Sequence, residues 1–258
     1  MAGANIPMDP ITLAPLSGIP LIQPGDDLPG ILADALRPAS LADGDVLVVA
    51  QKIVSKAENR YVDLATVTPS PRAVELAAVT QKDPRLIEVI LSESGEVVRA
   101  RPGLIIVRHR LGWVCASAGV DRSNVAPAGQ DVVLRLPVDP DASARQIRAA
   151  LCERFQASVG VIIADSHGRP HRMGTIGVAI GVAGLPGLED WRGRKDLFGY
   201  TLEHTEVALA DQIASAATLL LGQAAEAIPA VLVRGVPFER REGSARELVR
   251  PSEMDLFR

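Results

Sequence analysis

Asp165 and Ser166 stand where an apolar run stops. The run, VGVII from Val159 to Ile163, has the length and β-branching of a buried strand. Ser166, His167, Gly168, Arg169 and Pro170 are poor strand formers, so the strand is expected to end at Asp165. A carboxylate and a hydroxyl at a strand end, with a basic glycine-containing turn behind them, suit a hard cation held against a phosphate. Such cations take oxygen ligands, and backbone without a side chain lets phosphate approach closely. The same residues also suit a plain turn, with Asp165 as its cap and Ser166 as its helper. Gly174, Gly177, Gly181 and Gly184 punctuate the apolar run that follows.

Two further clusters have chemical potential. Asp121 and Asn124 lie three apart in SAGVDRSNV, between apolar segments. They read either as an Asx-turn or as a second metal carboxylate with a hydrogen-bonding amide beside it. Gln51, Lys52, Ser55 and Lys56 follow a strand-like run at Val46–Val49, and the stretch holding the lysines is itself read as strand-like. Only four of the 27 Lys and Arg residues are lysines, the other two being Lys82 and Lys195. Lysine is a compact charge where arginine is a planar fork, so Lys52 and Lys56 are candidate phosphate ligands; a solvated strand exit is the alternative.

The elements that must position these residues read as follows. Leu13–Ile22 is a short strand feeding a loop. Asp26 or Asp27 caps a helix over 28–37. Ser70–Pro71 and Asp83–Pro84 start helices over 72–79 and 85–91. Strands are expected at 96–100, 104–109, 113–118 and 132–136. Ile147, Leu151 and Phe155 form one stripe of a helix over 142–155. Residues 190–199 form a charged loop, a strand lies near Tyr200, and a long helix covers 205–221. Residues 222–227 form a loop, 230–233 a strand, and a surface helix with a tail is expected from Pro237 onward.

Composition narrows the class. The 258 residues are 47% hydrophobic but only 3% aromatic, so the core must be aliphatic and base-stacking surfaces are disfavoured. A net charge of −4 gives no electrostatic footprint for nucleic acid or an anionic membrane. Two cysteines, Cys115 and Cys152, make neither a disulfide framework nor a CxxC site, which points to a reducing cytoplasm. The start, MAGANIPMDP, has no leader pattern, and no apolar run is long enough to span a bilayer. Strands follow one another without strict alternation with helices, which favours an α+β fold with mixed or antiparallel sheets and packed helices. GxxxxGK[ST], a strand-to-helix GxGxxG and GxSxG are all absent. No internal repeat divides the chain, which reads as a single unit over 1–258.

Six blocks in order then carry a resemblance: GIPLIQPGDDL from Gly18, DGDVLVVAQKIVSKAE from Asp43, SAGVDRSNV from Ser117, LPVDPDASA from Leu136, GVIIADSHGRP from Gly160 and AIPAVLVRG from Ala227. Together they resemble the coenzyme F-420-0:γ-glutamyl ligase family over nearly the whole chain. The closing RELVRPSEMDLF resembles the end of the ligase portion in members that carry a further flavin-reductase-like domain, and no such domain is expected here. The resemblance implies a GTP-dependent, amide-forming ligase, built as an intertwined homodimer and using one or two Mg2+ or Mn2+ ions, with K+ a further candidate. It implies that Ile19, Pro20, Leu21, Ile22, Gln51, Lys52, Lys56 and Asn124 border the nucleotide, as does the loop Leu221, Gly222, Gln223, Ala224, Ala225, Glu226, Ala227 and Ile228. Asp121, Asp165, Ser166 and Gln223 would be the metal ligands, with Asp121, Asp165 and Lys56 as the catalytic set.

The chain also departs from that family. A Gly-Glu-Gly-Gly-Asp-Gly loop is replaced by Gly222–Ala227, so the usual glutamate ligand is Gln223, a neutral amide. Ser-Thr after the early strand is Gln51-Lys52, and the Thr after the metal aspartate is Ser166. The reaction implied joins the carboxylate of a lactyl phosphodiester deazaflavin precursor to the amine of L-glutamate through an acyl phosphate. His167 and His171 are candidate bases by proximity. Two rival readings are a deazaflavin- or nucleotide-binding protein that has lost ligation and a metal-dependent phosphohydrolase on the same aspartates.

Overall fold

Runs of buried β-branched residues set the centre of the fold. In the computed structural model, which describes residues 10–127 and 129–255, these elements follow in order. They are β1 (Thr12–Pro15), α1 (Leu28–Leu36), β2 (Val46–Ala50), α2 (Gln51–Ala57), β3 (Tyr61–Asp63), α3 (Pro71–Thr80), α4 (Pro84–Ser92), β4 (Ser94–Arg101), β5 (Leu104–His109), β6 (Val114–Ala116), β7 (Val132–Leu134), α5 (Pro140–Phe155), β8 (Gly160–Arg169), β9 (Arg172–Ala183), β10 (Glu189–Asp190), β11 (Glu206–Val207), α6 (Leu209–Leu221) and β12 (Ala230–Arg234). The first nine residues of the stretch read for a leader, the last two of the C-terminal block, Leu256 and Phe257, and Arg258 lie outside the described residues.

The main sheet has the order β1-β12-β2-β8-β9. Its central pair, β2 and β8, is parallel, and the other neighbours are antiparallel. Both faces are covered. Leu47, Val49, Val161 and Ile163 join α1, α2 and α5 in one core. Val46, Val48, Ile162 and Ala164 join α6 and Val231 in the other. Alternation along each strand sends neighbours to opposite cores, so a continuous apolar run is what a strand buried on both faces requires. A three-stranded antiparallel sheet, β4-β5-β6, packs under α3 and α4 around Ile87, Ile90, Ile105 and Val107. Two two-stranded ladders, β3-β7 and β10-β11, complete a mixed α+β fold. Among the described residues no helix is long and apolar enough to cross a membrane.

The expected caps form. Asp27, Ser70, Asp83 and Asp139 accept from the backbone N–H groups of Gly30, Ala73, Arg85 and Ala142. Several expectations fail for physical reasons. The lysine stretch is helix α2, not strand, because the adjacent residues Ile53 and Val54 both turn into one core, which a strand's alternation would not allow. β8 does not end at Asp165; Asp165, Ser166 and His167 pair with Val178, Gly177 and Ile176 of β9, and the ladder overrides poor propensity. Several strands are shorter than expected: β1 ends at Pro15, β6 covers 114–116 and β7 stops at Leu134. β3 has no counterpart in the sequence reading. The last long helix starts at Leu209, because Glu206 and Val207 pair with Asp190 and Glu189. Near Tyr200 there is an isolated Lys195–Thr201 bridge rather than a strand. The C-terminal helix is instead two short 3-10 turns at Ala245–Leu248 and Ser252–Met254.

Glu93 ties the smaller sheet to its neighbours. Its carboxylate, 4% exposed, accepts from Arg60 Nη2 at 2.8 Å, Arg110 Nε at 2.8 Å and Arg135 Nη1 at 3.2 Å. Burial works to raise its pKa, and the three guanidinium groups outweigh that and hold it low. Beside it His109 is buried, stacked on Trp113 with centroids 5.3 Å apart. Its Nδ1 accepts from the Leu111 N–H at 3.0 Å, which fixes the neutral form. Burial, and next the Arg110 charge, push its pKa down to about 4.

Two outcomes follow from this packing. A Cβ at Gly177 would lie 2.5 Å from the Ala214 carbonyl oxygen of α6. Gly177→Ala must therefore lift α6 from β9 and cost about 1–3 kcal/mol in urea unfolding; an unchanged midpoint would refute the close approach. For His109, the native and unfolded imidazoles are both neutral above pH 6.5. Between there and about 4 only the unfolded chain takes the proton, so stability falls on acidification by up to about 1.4 kcal/mol per pH unit. His109→Asn keeps an acceptor for Leu111 and should show a shallower acid slope; an identical slope would clear His109.

Candidate functional site

The parallel register of β2 on β8 sets Ala50 against Ala164. The next residues, Gln51 and Asp165, therefore emerge side by side just past the last parallel pair, at the end of β2 and midway along β8. Ser55 donates its hydroxyl to Gln51 Oε1 at 2.9 Å, one helical turn away. That leaves Gln51 Nε2 to donate to Asp121 Oδ2 at 2.7 Å. Asp121 is fixed by its backbone, which exchanges two 2.9 Å hydrogen bonds with Leu134 at the end of β7. Lys52 Nζ sits 3.4 Å from the same Oδ2.

Asp165 accepts from, or shares a proton with, His167 Nε2 at 2.9 Å; the two side chains lie on the same face of β8. Asp121 and Asp165 are close enough to feel each other. Burial, and next the Asp165 charge, push the Asp121 carboxyl up to about 6. Cys115 of β6 is pushed up to about 12 by burial, with Asp165 adding to the effect. Two carboxylates in a poorly solvated place invite a cation between them. Their oxygens are donors suited to Mg2+ or Mn2+. Among the described residues no three His, Cys, Asp or Glu side chains come together as a ready metal site. The donor set fits an ion that draws further oxygens from a substrate phosphate.

Ser166 lies on the opposite face of β8 from Asp165, and a different element reaches it. Gln223 Nε2, just past α6, donates to Ser166 Oγ at 2.8 Å. The next residue is held as well: Asn124, itself at φ +57°, donates Nδ2 to the Ala224 carbonyl at 2.7 Å. Glu226 folds back, its carboxylate accepting from the Ala224 N–H at 2.7 Å. Positive φ angles at Gly222 and Ala227 bound this loop. Alanine holds the second of these at a cost glycine would not carry.

Lys56 lies one turn beyond Lys52 on α2. Burial, and next the Lys52 charge, lower its pKa. It has no ion-pair or hydrogen-bond partner among the described residues, so its charge is free for an anion. The Ile19–Ile22 segment is divided. Ile22 is core beside Ile53 and Val54, Ile19 packs against that core, and Leu21 is 84% exposed. Leu221 and Ile228, at the two ends of the glutamine loop, pack against the α6 core, while Ala225 is exposed. Thus Gln51, Lys52, Asp121, Asp165, Ser166, Gln223, Asn124 and Ala224 fall into neighbouring linked pairs, and Lys56 stands one turn away.

Leu134 and Asp211 take part without having been singled out as site residues, and Ser55, named beside the lysines, acts through Gln51. Asp211, in the first turn of α6, accepts from the Ala179 N–H at 2.8 Å. Burial raises its pKa, while the charge of His167 opposes that shift. No spacing in the chain links Asp211 to His167. The i, i+4 pair Gln51–Ser55 was readable once α2 was taken as a helix.

Residues 18–235 match the family model described as F420-0:Gamma-glutamyl ligase. The chain is 45% identical over 252 residues to the coenzyme F420:L-glutamate ligase of Methanothermobacter thermautotrophicus, covering 96% of this chain and 99% of that protein. It is 50% identical over 241 residues to the coenzyme F420:L-glutamate ligase of Methanopyrus kandleri, covering 92% and 93%. To the enzyme so named from Archaeoglobus fulgidus it is 42% identical over 248 residues, covering 96% of each.

Proposed function

The chain belongs to the F420-0:gamma-glutamyl ligase family, and from that premise we propose that it joins L-glutamate to a deazaflavin precursor with GTP as the energy source. It is a ligase, and its relatives carry the name coenzyme F420:L-glutamate ligase. The observation that carries the finer reading is the site itself. Supporting it are two mutually repelling carboxylates, Asp121 and Asp165, beside the end of the parallel β2–β8 pairing, with Lys52 on Asp121 and Lys56 one helical turn on.

A carboxylate is a poor acyl donor. In this reading the precursor's carboxylate attacks the γ-phosphate of GTP, GDP leaves, and the glutamate amine displaces phosphate from the acyl phosphate. All three substrates are anionic. Two like charges about 4 Å apart repel by about 4 kcal/mol at an effective dielectric of 20. Lys56 offsets part of this by binding phosphate. Lys52 and Gln51 hold Asp121 in place, and His167 holds Asp165. Asp121, Asp165 and Ser166 would hold Mg2+ or Mn2+, which when bound supplies charge neutralisation and alignment for phosphoryl transfer.

The working unit in this proposal is a homodimer in the cytoplasm. Met173, at the tip of the β8–β9 hairpin, and Leu197 and Phe198, in the loop between β10 and β11, are each at least 96% exposed. Exposed apolar tips of this kind mark contact surfaces. Light scattering on the purified protein should give twice the chain mass, and a monomer at micromolar concentration would end the dimer reading.

Two experiments test the chemistry. Asp165→Asn removes one site charge and should lower ligase turnover by well over about tenfold with an unchanged circular dichroism spectrum; turnover near wild type would refute the role. Incubation with GTP, Mn2+, glutamate and the deazaflavin precursor should give a glutamylated product. Phosphate release without product would favour a phosphohydrolase, and neither would favour a binding protein.

A further inference from the structure

A cleft lies at the far end of β2 from Asp121 and Gln51. Its volume is about 370 Å3, within the range of small-molecule sites. Asp45 leads into β2 at the cleft, and Gln51 follows β2 at the other end. The five residues of strand between them span about 17 Å. The opposite wall is Arg234, the last residue of β12, and the segment after it as far as Arg240.

Two acid–base pairs set the charged groups of this cleft. Asp45 is buried and accepts from the Ala42 N–H at 2.8 Å. It also takes Arg234 at two points, from Nε and Nη2, both at 2.7 Å. Arg234 Nη2 donates in addition to the Ser40 carbonyl at 3.1 Å. Asp43 accepts from the Ser158 N–H at 2.8 Å and from Arg240 Nη1 at 2.9 Å. Every carboxylate oxygen of the two aspartates therefore has a partner. The arginines keep donors in reserve: Arg234 Nη1 and Arg240 Nε and Nη2 have no hydrogen-bond partner among the described residues. An anchored guanidinium has already lost much of its freedom, and its planar edge matches a carboxylate or phosphate.

The four charged residues sum to zero, so the cleft has no net field to draw a bare anion. It has an apolar wall instead. Val236 and Phe238 line it while packing against the core beneath α6. We propose that this cleft binds a small amphiphilic oxyanion, a carboxylate or phosphate monoester on an apolar body. The free N–H groups of Arg234 and Arg240 take the anion, and Val236 and Phe238 take the body. The proposal is independent of the ligase reading.

Phenyl phosphate is the probe, titrated calorimetrically into the full-length protein. Its dissociation constant should be about 1 mM or tighter. Inorganic phosphate and phenol each carry half of the ligand and should bind at least about tenfold more weakly. Benzoate in the same titration separates a carboxylate ligand from a phosphate one, and tighter binding of either supports the class. Arg240 and Asp43 are each at least half exposed, so Arg240→Gln strands no buried charge. It should weaken phenyl phosphate by about tenfold and leave ligase turnover unchanged. A saturating non-hydrolysable GTP analogue should not displace the probe. No binding up to about 10 mM would overturn the proposal. So would displacement by the analogue with Arg240→Gln behaving as wild type, because the probe would then sit elsewhere. If Arg240→Gln does not fold, wild-type crystals soaked with phenyl phosphate decide. A phosphate oxygen within about 3.2 Å of either guanidinium group supports the site, and phosphate bound only elsewhere overturns it.

Discussion

Mutual repulsion between Asp121 and Asp165 is the constraint around which the rest is arranged. Neither carboxylate is free in water, where the repulsion would be screened. Each is partly enclosed, which is why the Asp121 carboxyl holds its proton to about pH 6. A fold keeps such a pair only if other contacts enforce it. Here the enforcement is backbone: the parallel β2–β8 ladder fixes Asp165, and the two-way bond with Leu134 fixes Asp121. Side chains then moderate the charge, with Lys52 and Gln51 on one carboxylate and His167 on the other.

The surrounding structure is stiff where the site needs it to be. β2 and β8 are buried on both faces, so their ends have little freedom. The Glu93 cluster joins the turn after α2, the start of β4 and the end of β7 through three guanidinium groups on one carboxylate. Removing any one arginine leaves two, whereas removing the carboxylate strands three cations. The flank past α6 is held differently, by side-chain bonds from Gln223 and Asn124 at its exposed surface. Exposed hydrogen bonds of this sort are individually weak, so this is the flank that can open to admit a ligand. A rigid floor and a loosely held wall suit a ligase site, which must admit substrates and release product.

Much of the scaffold was legible from local signals. The aliphatic, β-branched runs at 46–49 and 159–163 read as buried strands, and both are. Asp–Pro and Ser–Pro pairs marked helix starts, and the caps form there. α2 looks strand-like in the sequence because its residues, QKIVSKA, have no side-chain cap and no Pro–Gly punctuation, and the strand before it runs straight into it. β8 was cut short because Ser, His and Gly score poorly as strand residues; only the partner β9, present in three dimensions, makes them one.

The sequence by itself determined the aliphatic core, the helix starts, the α+β class and, through six ordered blocks, the family. It also placed Asp121, Asp165, Ser166, Lys52 and Lys56 among the residues able to do chemistry. Only the tertiary structure decided which of them meet. Asp121 and Gln51 are separated by 70 positions, and Ser166 and Gln223 by 57; strand register and loop closure bring them within hydrogen-bond reach. Periodicity reports how a segment faces its own core, whereas the approach of two distant segments is set by packing between elements and leaves no periodic trace in the chain.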